Sequence, residues 1–316
     1  MHSSISSSDI TRSHVRLDRF TIALLSTAAI LLGLTEAVSV LRFDRTSKVQ
    51  RRELAQRQAL LSVRDSASSD DPHVAVLGNS LMLDGVDMPL LQSHLDASYV
   101  PVPYFVLATN YYDWLFGLKR LFGDGMRPRY IVLGLSPNQL AATGIRGDYS
   151  ARYLFQQADL LRVVRRTHMD PTTASGFLLS HYSQFYSTRE TTRGFILSKV
   201  LPSVGELLHS RLGVFYDPTI PDAELRPLAS QRLAEIDQVC RANGAHFVLV
   251  VPPSYQKGAE SIAQAGREAG VTVLVPVKEG EFDASYYQSD GFHLNDKGSE
   301  VFTSRLAASL RDVLSK

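Results

Sequence analysis

Five short apolar runs constrain this chain more than any other feature: His73–Leu77 (HVAVL), Pro103–Leu107 (PYFVL), Tyr130–Leu133 (YIVL), Phe247–Val251 (FVLVV) and Val271–Val275 (VTVLV). Each is apolar on both faces, as a strand must be when its parallel sheet is covered on two sides. Helical patterns stand between and after them, at Tyr112–Phe122, Leu228–Asn243, Glu260–Ala269 and Asp296–Leu314. The second of these is stopped by Asn243-Gly244. This alternation predicts a doubly wound α/β sheet over residues 73–316, with no internal repeat. A chain of 316 residues has ample length to bury such a core.

One stretch breaks the rhythm. Residues 144–221 contain no clear buried strand but many aromatic and basic residues, among them Tyr149, Tyr153, Phe155, Arg165, Arg166, Tyr182, Phe185, Tyr186, Arg189 and Arg193. An insertion of this length is read as a cap, lid or partner surface, or as a helical elaboration that only packs.

Ahead of the body lies Phe20–Leu41 (FTIALLSTAAILLGLTEAVSVL), which is uncharged apart from Glu36. About 20 residues at about 1.5 Å each cross a hydrocarbon core, so this run reads as a single transmembrane helix after a polar leader, residues 1–19. Ala37-Val38-Ser39 loosely resembles a cleavage site, which keeps a signal peptide as the rival reading. Residues 42–72 read as a charged juxtamembrane helix to about Leu61, then a polar linker from Arg64 to Pro72 (RDSASSDDP). Arg12, Arg16 and Arg19 precede the run; Arg42, Arg45, Lys48, Arg51 and Arg52 follow it. That balance by itself places the body in the cytoplasm.

Composition excludes some functions. A net charge of +1 gives no electrostatic footprint for nucleic acid. The lone Cys240 provides neither a disulfide framework nor zinc-ligand spacing. His168, His181 and His209 lack metal-ligand spacing, His246 heads a strand, and Asp84 and Asp87 read as helix caps before they read as metal ligands. No metal or cofactor is called for. Lys257-Gly258 lacks the glycine spacing of a phosphate loop.

In an open parallel sheet, ligands bind beyond the carboxyl ends of the strands, so the residues just after each apolar run carry the chemistry. After the first run stands Gly78-Asn79-Ser80. Glycine permits a tight turn, and a serine entering the next helix exposes its hydroxyl beside backbone N–H groups without helical partners. Those are the requirements of an ester-cleaving nucleophile, although serine is also a favoured helix cap. Near the far end stands Asp290-Gly291-Phe292-His293, where the carboxylate can fix the imidazole tautomer and the other ring nitrogen can take a serine proton. After the third run, Asn138 in Gly134-Leu135-Ser136-Pro137-Asn138 can point an amide N–H at the same oxyanion, or simply shape the turn. Trp114 and Tyr111 follow the second run and offer aromatic faces for a sugar ring, though helix packing is the commoner fate of such residues.

The order Ser80, Asn138, Asp290, His293 resembles the motif blocks of SGNH (GDSL-like) hydrolases and acyltransferases. That resemblance covers roughly residues 73–316 without the insertion. It implies a flavodoxin-like, three-layer SGNH hydrolase-like fold with Ser80, His293 and Asp290 as catalytic triad. The oxyanion hole would comprise the Ser80 N–H, the Asn138 amide and a donor from the second block. There the family has glycine, whereas this chain has Leu107-Ala108-Thr109-Asn110, so the N–H of Thr109 or Asn110 is assigned the role. The first block carries Asn79 where aspartate is usual. Anchor plus body resembles the alginate and exopolysaccharide O-acetylation branch. This implies a single-pass inner-membrane protein with an extracytoplasmic body, against the charge count. It further implies an envelope polysaccharide or other acyl ester as substrate, and a multi-spanning membrane acyltransferase as partner. A small-molecule or lipid esterase, or a catalytically silent assembly component of an exopolysaccharide complex, are the other readings.

Overall fold

The computed structural model describes residues 18–65, 71–147, 149–189 and 219–315, together with 193 and 197. The leader up to residue 17, the linker core 66–70, His209 and much of the later insertion lie outside the described residues.

Five strands, β1 (His73–Gly78), β2 (Val100–Phe105), β3 (Tyr130–Gly134), β4 (His246–Val250) and β5 (Thr272–Leu274), form one sheet in the order β2-β1-β3-β4-β5. All pairings are parallel. The fold is the expected three-layer, doubly wound α/β sheet, and its chain reverses direction of winding between β1 and β3.

Alternation along the strands makes the two cores. Ala75, Leu77, Tyr104, Ile131, Leu133, Phe247 and Leu249 face one side, packed by α5 (Tyr111–Gly123), α11 (Asp222–Arg241), α12 (Ala259–Ala269) and the insertion. Val74, Val76, Phe105, Val132, Val248 and Val250 face the other side, packed by α3 (Ser80–Gly85), α4 (Met88–His94) and α13 (Asp296–Leu314). Burying each of these large side chains contributes about 1.5–3 kcal/mol.

The second strand begins earlier and ends earlier than the run Pro103–Leu107 suggests. The reason lies in its edge position. Val100 and Val106 donate to β1-side carbonyls of Pro72 and Gly78, so the odd-numbered residues turn their backbone donors outward. Pro101 and Pro103 have no N–H to leave unpaired there. The outward N–H groups of Phe105 and Leu107 are taken by Gln56 Oε1 at 3.0 Å and Glu53 Oε1 at 3.2 Å, from α2 (Lys48–Ser62). Helix α2 therefore closes the sheet edge that would otherwise invite another strand. β5 (Thr272–Leu274), at the opposite edge, is shorter than the run Val271–Val275. α11 begins well before Leu228, because its first turns are mostly polar and show no apolar period.

The apolar run forms α1 (Arg19–Thr46), and its stretch from Arg19 to Arg42 is long and apolar enough to cross a membrane, with none of its most apolar window buried against the body. Ser47 ends α1 and caps α2 by accepting from Gln50 N. Between β3 and β4 come α6 (Pro137–Ala141) and the described insertion: α7 (Tyr149–Leu154), a 3₁₀ turn (Gln157–Asp159), α8 (Leu160–Arg166), α9 (Pro171–Tyr182) and α10 (Gln184–Ser187). It is helical, as its sequence suggested.

Candidate active site

Ser80 is the first residue of α3, directly beyond β1, so its N–H lies among the donors that a helix cannot satisfy internally. Two glycines make the approach feasible. A Cβ on Gly78 would lie 2.4 Å from Met82 Cγ, and one on Gly134 would lie 2.1 Å from Met82 Sδ. The fully buried Met82 side chain fills the space over both strand ends, which seats α3 tightly on the sheet. Asn79, also fully buried, caps α3 by accepting from Leu81 N at 3.0 Å and donates from Nδ2 to the Thr109 carbonyl at 3.0 Å.

His293 comes from a tight loop before α13. Gln288 N donates to the His293 carbonyl at 2.7 Å, and Gly291 supplies a left-handed turn at φ 67°. Asn295 caps α13 through Gly298 N and donates to the carbonyls of Ser285 and Tyr287, fixing the loop from below. Gly298 must be glycine, since a Cβ would lie 2.3 Å from the Tyr286 carbonyl. The helices behind the two loops are joined as well. Asp87 N donates to Thr303 Oγ1 at 3.0 Å, and the Ser299 and Thr303 hydroxyls donate to the Gly85 carbonyl.

These supports bring the three residues into one hydrogen-bonded chain. Ser80 Oγ lies 2.8 Å from His293 Nε2, and His293 Nδ1 lies 2.6 Å from Asp290 Oδ2. The second oxygen of Asp290 accepts from the backbone N–H of Phe292 at 2.9 Å and of His293 at 3.0 Å. Partial burial alone would raise the Asp290 carboxyl. The imidazole and the two N–H groups outweigh it and hold the carboxyl below its ordinary range. Such a carboxylate keeps Nδ1 protonated and leaves Nε2 free to accept the serine proton. Asp84, one turn after Ser80, is pushed the other way by burial and by Asp290, with His293 and Arg52 opposing.

Asn138 sits in α6, which is capped by Ser136 and Gln139. With Asn110, Thr143, Gly144 and Ile220 it lines a cleft of about 470 Å³. Because β2 and β3 flank β1, this cleft opens on the same sheet edge as Ser80. The second block resolves differently from expectation. Asn110 cannot lend its N–H to an oxyanion, because that group donates to Asp113 Oδ2 at 3.1 Å as part of the α5 cap. Thr109 is fully buried, its hydroxyl donating to the Val106 carbonyl and accepting from Trp114 Nε1. Ala108, at φ 57°, is the residue in the left-handed conformation that glycine would occupy without strain. The donors left at this turn are the N–H groups of Ala108 and Thr109.

Trp114 and Tyr111 are not sugar platforms, since both are wholly buried. Trp114 packs edge-on against Tyr104, and Tyr111 donates to Glu235 Oε2 at 2.6 Å while Arg232 stacks 4.4 Å above its ring. The aromatic side chains beside the imidazole are Phe292 and Tyr255. Phe292 packs edge-on against His293 at 5.0 Å, and Tyr255, beyond β4, lies 5.5 Å from Phe292. Tyr255 satisfied the same strand-end rule as Ser80, so the signal was present. Asp87 caps α4 through Leu90 N, as expected, and among the described residues no cluster of His, Cys, Asp and Glu could hold a metal ion.

No family model and no curated protein matches this chain. Among solved structures, one described as the crystal structure of TesA is similar at 15% identity and a TM-score of 0.39, covering 76% of this chain and 99% of that one.

Proposed function

We propose that this chain is a membrane-anchored serine enzyme that transfers acyl groups, acetyl foremost, onto an envelope polysaccharide. The observation that carries this reading is the Ser80–His293–Asp290 hydrogen-bonded chain at the carboxyl edge of the sheet. Ser80 Oγ attacks the ester carbonyl as its proton passes to His293 Nε2, and a C–O bond forms. The Ser80 N–H, an N–H at Ala108 or Thr109, and the Asn138 amide stabilise the oxyanion. Collapse breaks the bond to the leaving alkoxide, which takes the proton from His293. An acceptor hydroxyl then gives its proton to Nε2 and attacks the acyl carbon, and as the bond from the acyl carbon to Ser80 Oγ breaks, Oγ takes that proton back from Nε2. Asp290 orients the imidazole throughout.

A site favours a bound sugar hydroxyl over water when proximity raises its effective concentration by orders of magnitude. The cleft at Asn110 and Asn138 has the volume of a small-ligand site and adjoins the insertion, which supports such binding. Tethering by α1 suits an acyl donor delivered by a multi-spanning acyltransferase, with the body outside the cytoplasm. The basic residues after α1 are partly absorbed by the fold: Arg52 meets Glu53 and the Phe105 carbonyl, and Arg57 meets Asp124.

The full-length protein, incubated with an activated acetyl ester and oligosaccharide acceptors, should form sugar-linked acetate that depends on Ser80. Free acetate unaffected by every acceptor identifies a plain esterase. A Ser80 that a fluorophosphonate never labels, with no turnover, identifies a silent assembly component.

A further inference from the structure

We infer that the α9–α10 hairpin of the insertion is embedded in the surface of the same bilayer that α1 crosses, with the lipid of that leaflet as its partner. The inference rests on the anchor reading of α1 and adds a second membrane contact to it. Glu36 is the one acidic residue within the apolar run, and a carboxylate there needs partners. It finds them on the insertion. Glu36 Oε2 accepts from the Ser183 hydroxyl at 2.7 Å and from Phe185 N at 3.1 Å, and Oε1 accepts from Gln184 N. The anchor thus caps α10.

That contact fixes depth. Glu36 precedes Arg42, the first basic residue after the run, by six positions, so it lies about 9 Å below the level of Arg42 along the helix axis. The start of α10 is held at that level. The apolar surface agrees with it. Among the described residues outside α1, the exposed large apolar side chains are Val49, Leu161, Leu179, Tyr182 and Phe185. The last three belong to α9 and α10, and Leu179 and Tyr182 share one face of α9 by their spacing. Val49 sits just past the end of α1. Leu179 is 50% exposed, Tyr182 58% and Phe185 38%, values that suit lipid contact beside an apolar span. Tyrosine, with an apolar ring and a polar tip, suits the headgroup boundary.

The hairpin is rigidly coupled to the site. His181 Nδ1 lies 2.8 Å from the Ala151 carbonyl of α7, and Ser150 of α7 donates to Asp113 at 2.8 Å, next to Asn110 on the cleft. Embedding α9–α10 therefore fixes the height of the cleft above the bilayer, within reach of a membrane-delivered donor.

The test uses full-length protein in phosphatidylethanolamine–phosphatidylglycerol vesicles, labelled with an environment-sensitive fluorophore at single introduced cysteines. The native Cys240 is buried and its thiol is pushed up by burial, so it stays unlabelled. Leu179→Cys, Tyr182→Cys and Phe185→Cys should be blue-shifted and quenched several-fold by lipid-borne nitroxide, as Leu32→Cys in α1 should be, whereas Glu300→Cys on α13 should not. Quenching at Leu32 with solvent-like signals at all three hairpin positions overturns the inference and leaves the anchor standing. Absence of quenching at Leu32 overturns both. Glu36→Ala should lower quenching at Phe185 without lowering it at Leu32, since it cuts the tie and leaves the span intact.

Discussion

Asn79 Nδ2 donates to the Thr109 carbonyl at 3.0 Å, and this bond ties the loop that presents Ser80 to the turn after β2. The same side chain caps α3. An aspartate, usual at this place in the family the motifs resemble, would keep the cap and lose the donor, setting a buried carboxylate against a carbonyl. Asn79→Asp should therefore cost about 1–3 kcal/mol in urea unfolding. It should also slow fluorophosphonate labelling of Ser80, because the turn carrying Ala108 and Thr109 is no longer pinned. Unchanged stability and labelling would show that the bond is idle.

The hydrogen-bonded chain through His293 predicts a pattern of losses. Ser80→Ala and His293→Ala should each abolish nearly all turnover of an activated acetyl ester, and the double variant should be no worse, since the members act as a unit. Asp290→Asn should retain more activity, through a misoriented imidazole. Unfolding free energies should move by less than about 1 kcal/mol, because these residues sit in loops at a cleft. Full activity in Ser80→Ala would end the enzyme reading.

The strand-end rule singles out Ser80 and Asn138 in the sequence, and the Asp-x-x-His spacing before the last helix singles out Asp290 and His293; the fold brings Ser80, His293 and Asp290 into one hydrogen-bonded chain. Strands apolar on both faces reveal a covered parallel sheet, and chemistry then collects at one edge. What stayed hidden depends on partners distant in sequence. Asn110 reads as a free donor until Asp113 is seen to occupy it, and Trp114 reads as a platform until Tyr104 and Thr109 enclose it. The start of β2 is masked by Pro101 and Pro103, which are tolerated because β2 is an edge strand and their positions face away from β1. In the sequence Glu36 is only the one charge in an apolar run. Its role needs Ser183, far along the chain.

Asp113 is fully buried where the insertion meets α5. Burial pushes its carboxyl up to about 6, against the lowering effect of hydrogen bonds from Asn110 N, Ser150 Oγ and Arg146 N. The folded state therefore holds this proton more tightly than the unfolded chain, whose reference value is 3.8. The stabilising contribution is complete below that reference and is lost as pH rises through about 6, amounting to about 3 kcal/mol. Unfolding free energy measured from about pH 4 to about pH 7 should fall with this slope in the wild type, and Asp113→Asn should remove the slope. Identical pH profiles for the two proteins would mean that Asp113 ionises in the fold as it does in water.

Gly134 offers the sharpest test of how Ser80 is held. Its Cβ would overlap Met82 Sδ, and Met82 is fully enclosed between the sheet and α3. Gly134→Ala must therefore displace Met82, and with it the helix whose first residue is Ser80. Overpacking of this kind costs about 1–3 kcal/mol. Activity should fall further than stability alone explains, because Ser80 Oγ moves relative to His293 Nε2. Met82→Ala alone opens a cavity and should also destabilise, by about 2–5 kcal/mol. The double variant should lose clearly less than the sum, since the new methyl occupies space that Met82 vacates, and the interaction energy in a double-mutant cycle should be at least about 0.5 kcal/mol. Strict additivity of the two losses would show that α3 accommodates the methyl by another route, and that the glycine pair is not what sets the position of Ser80.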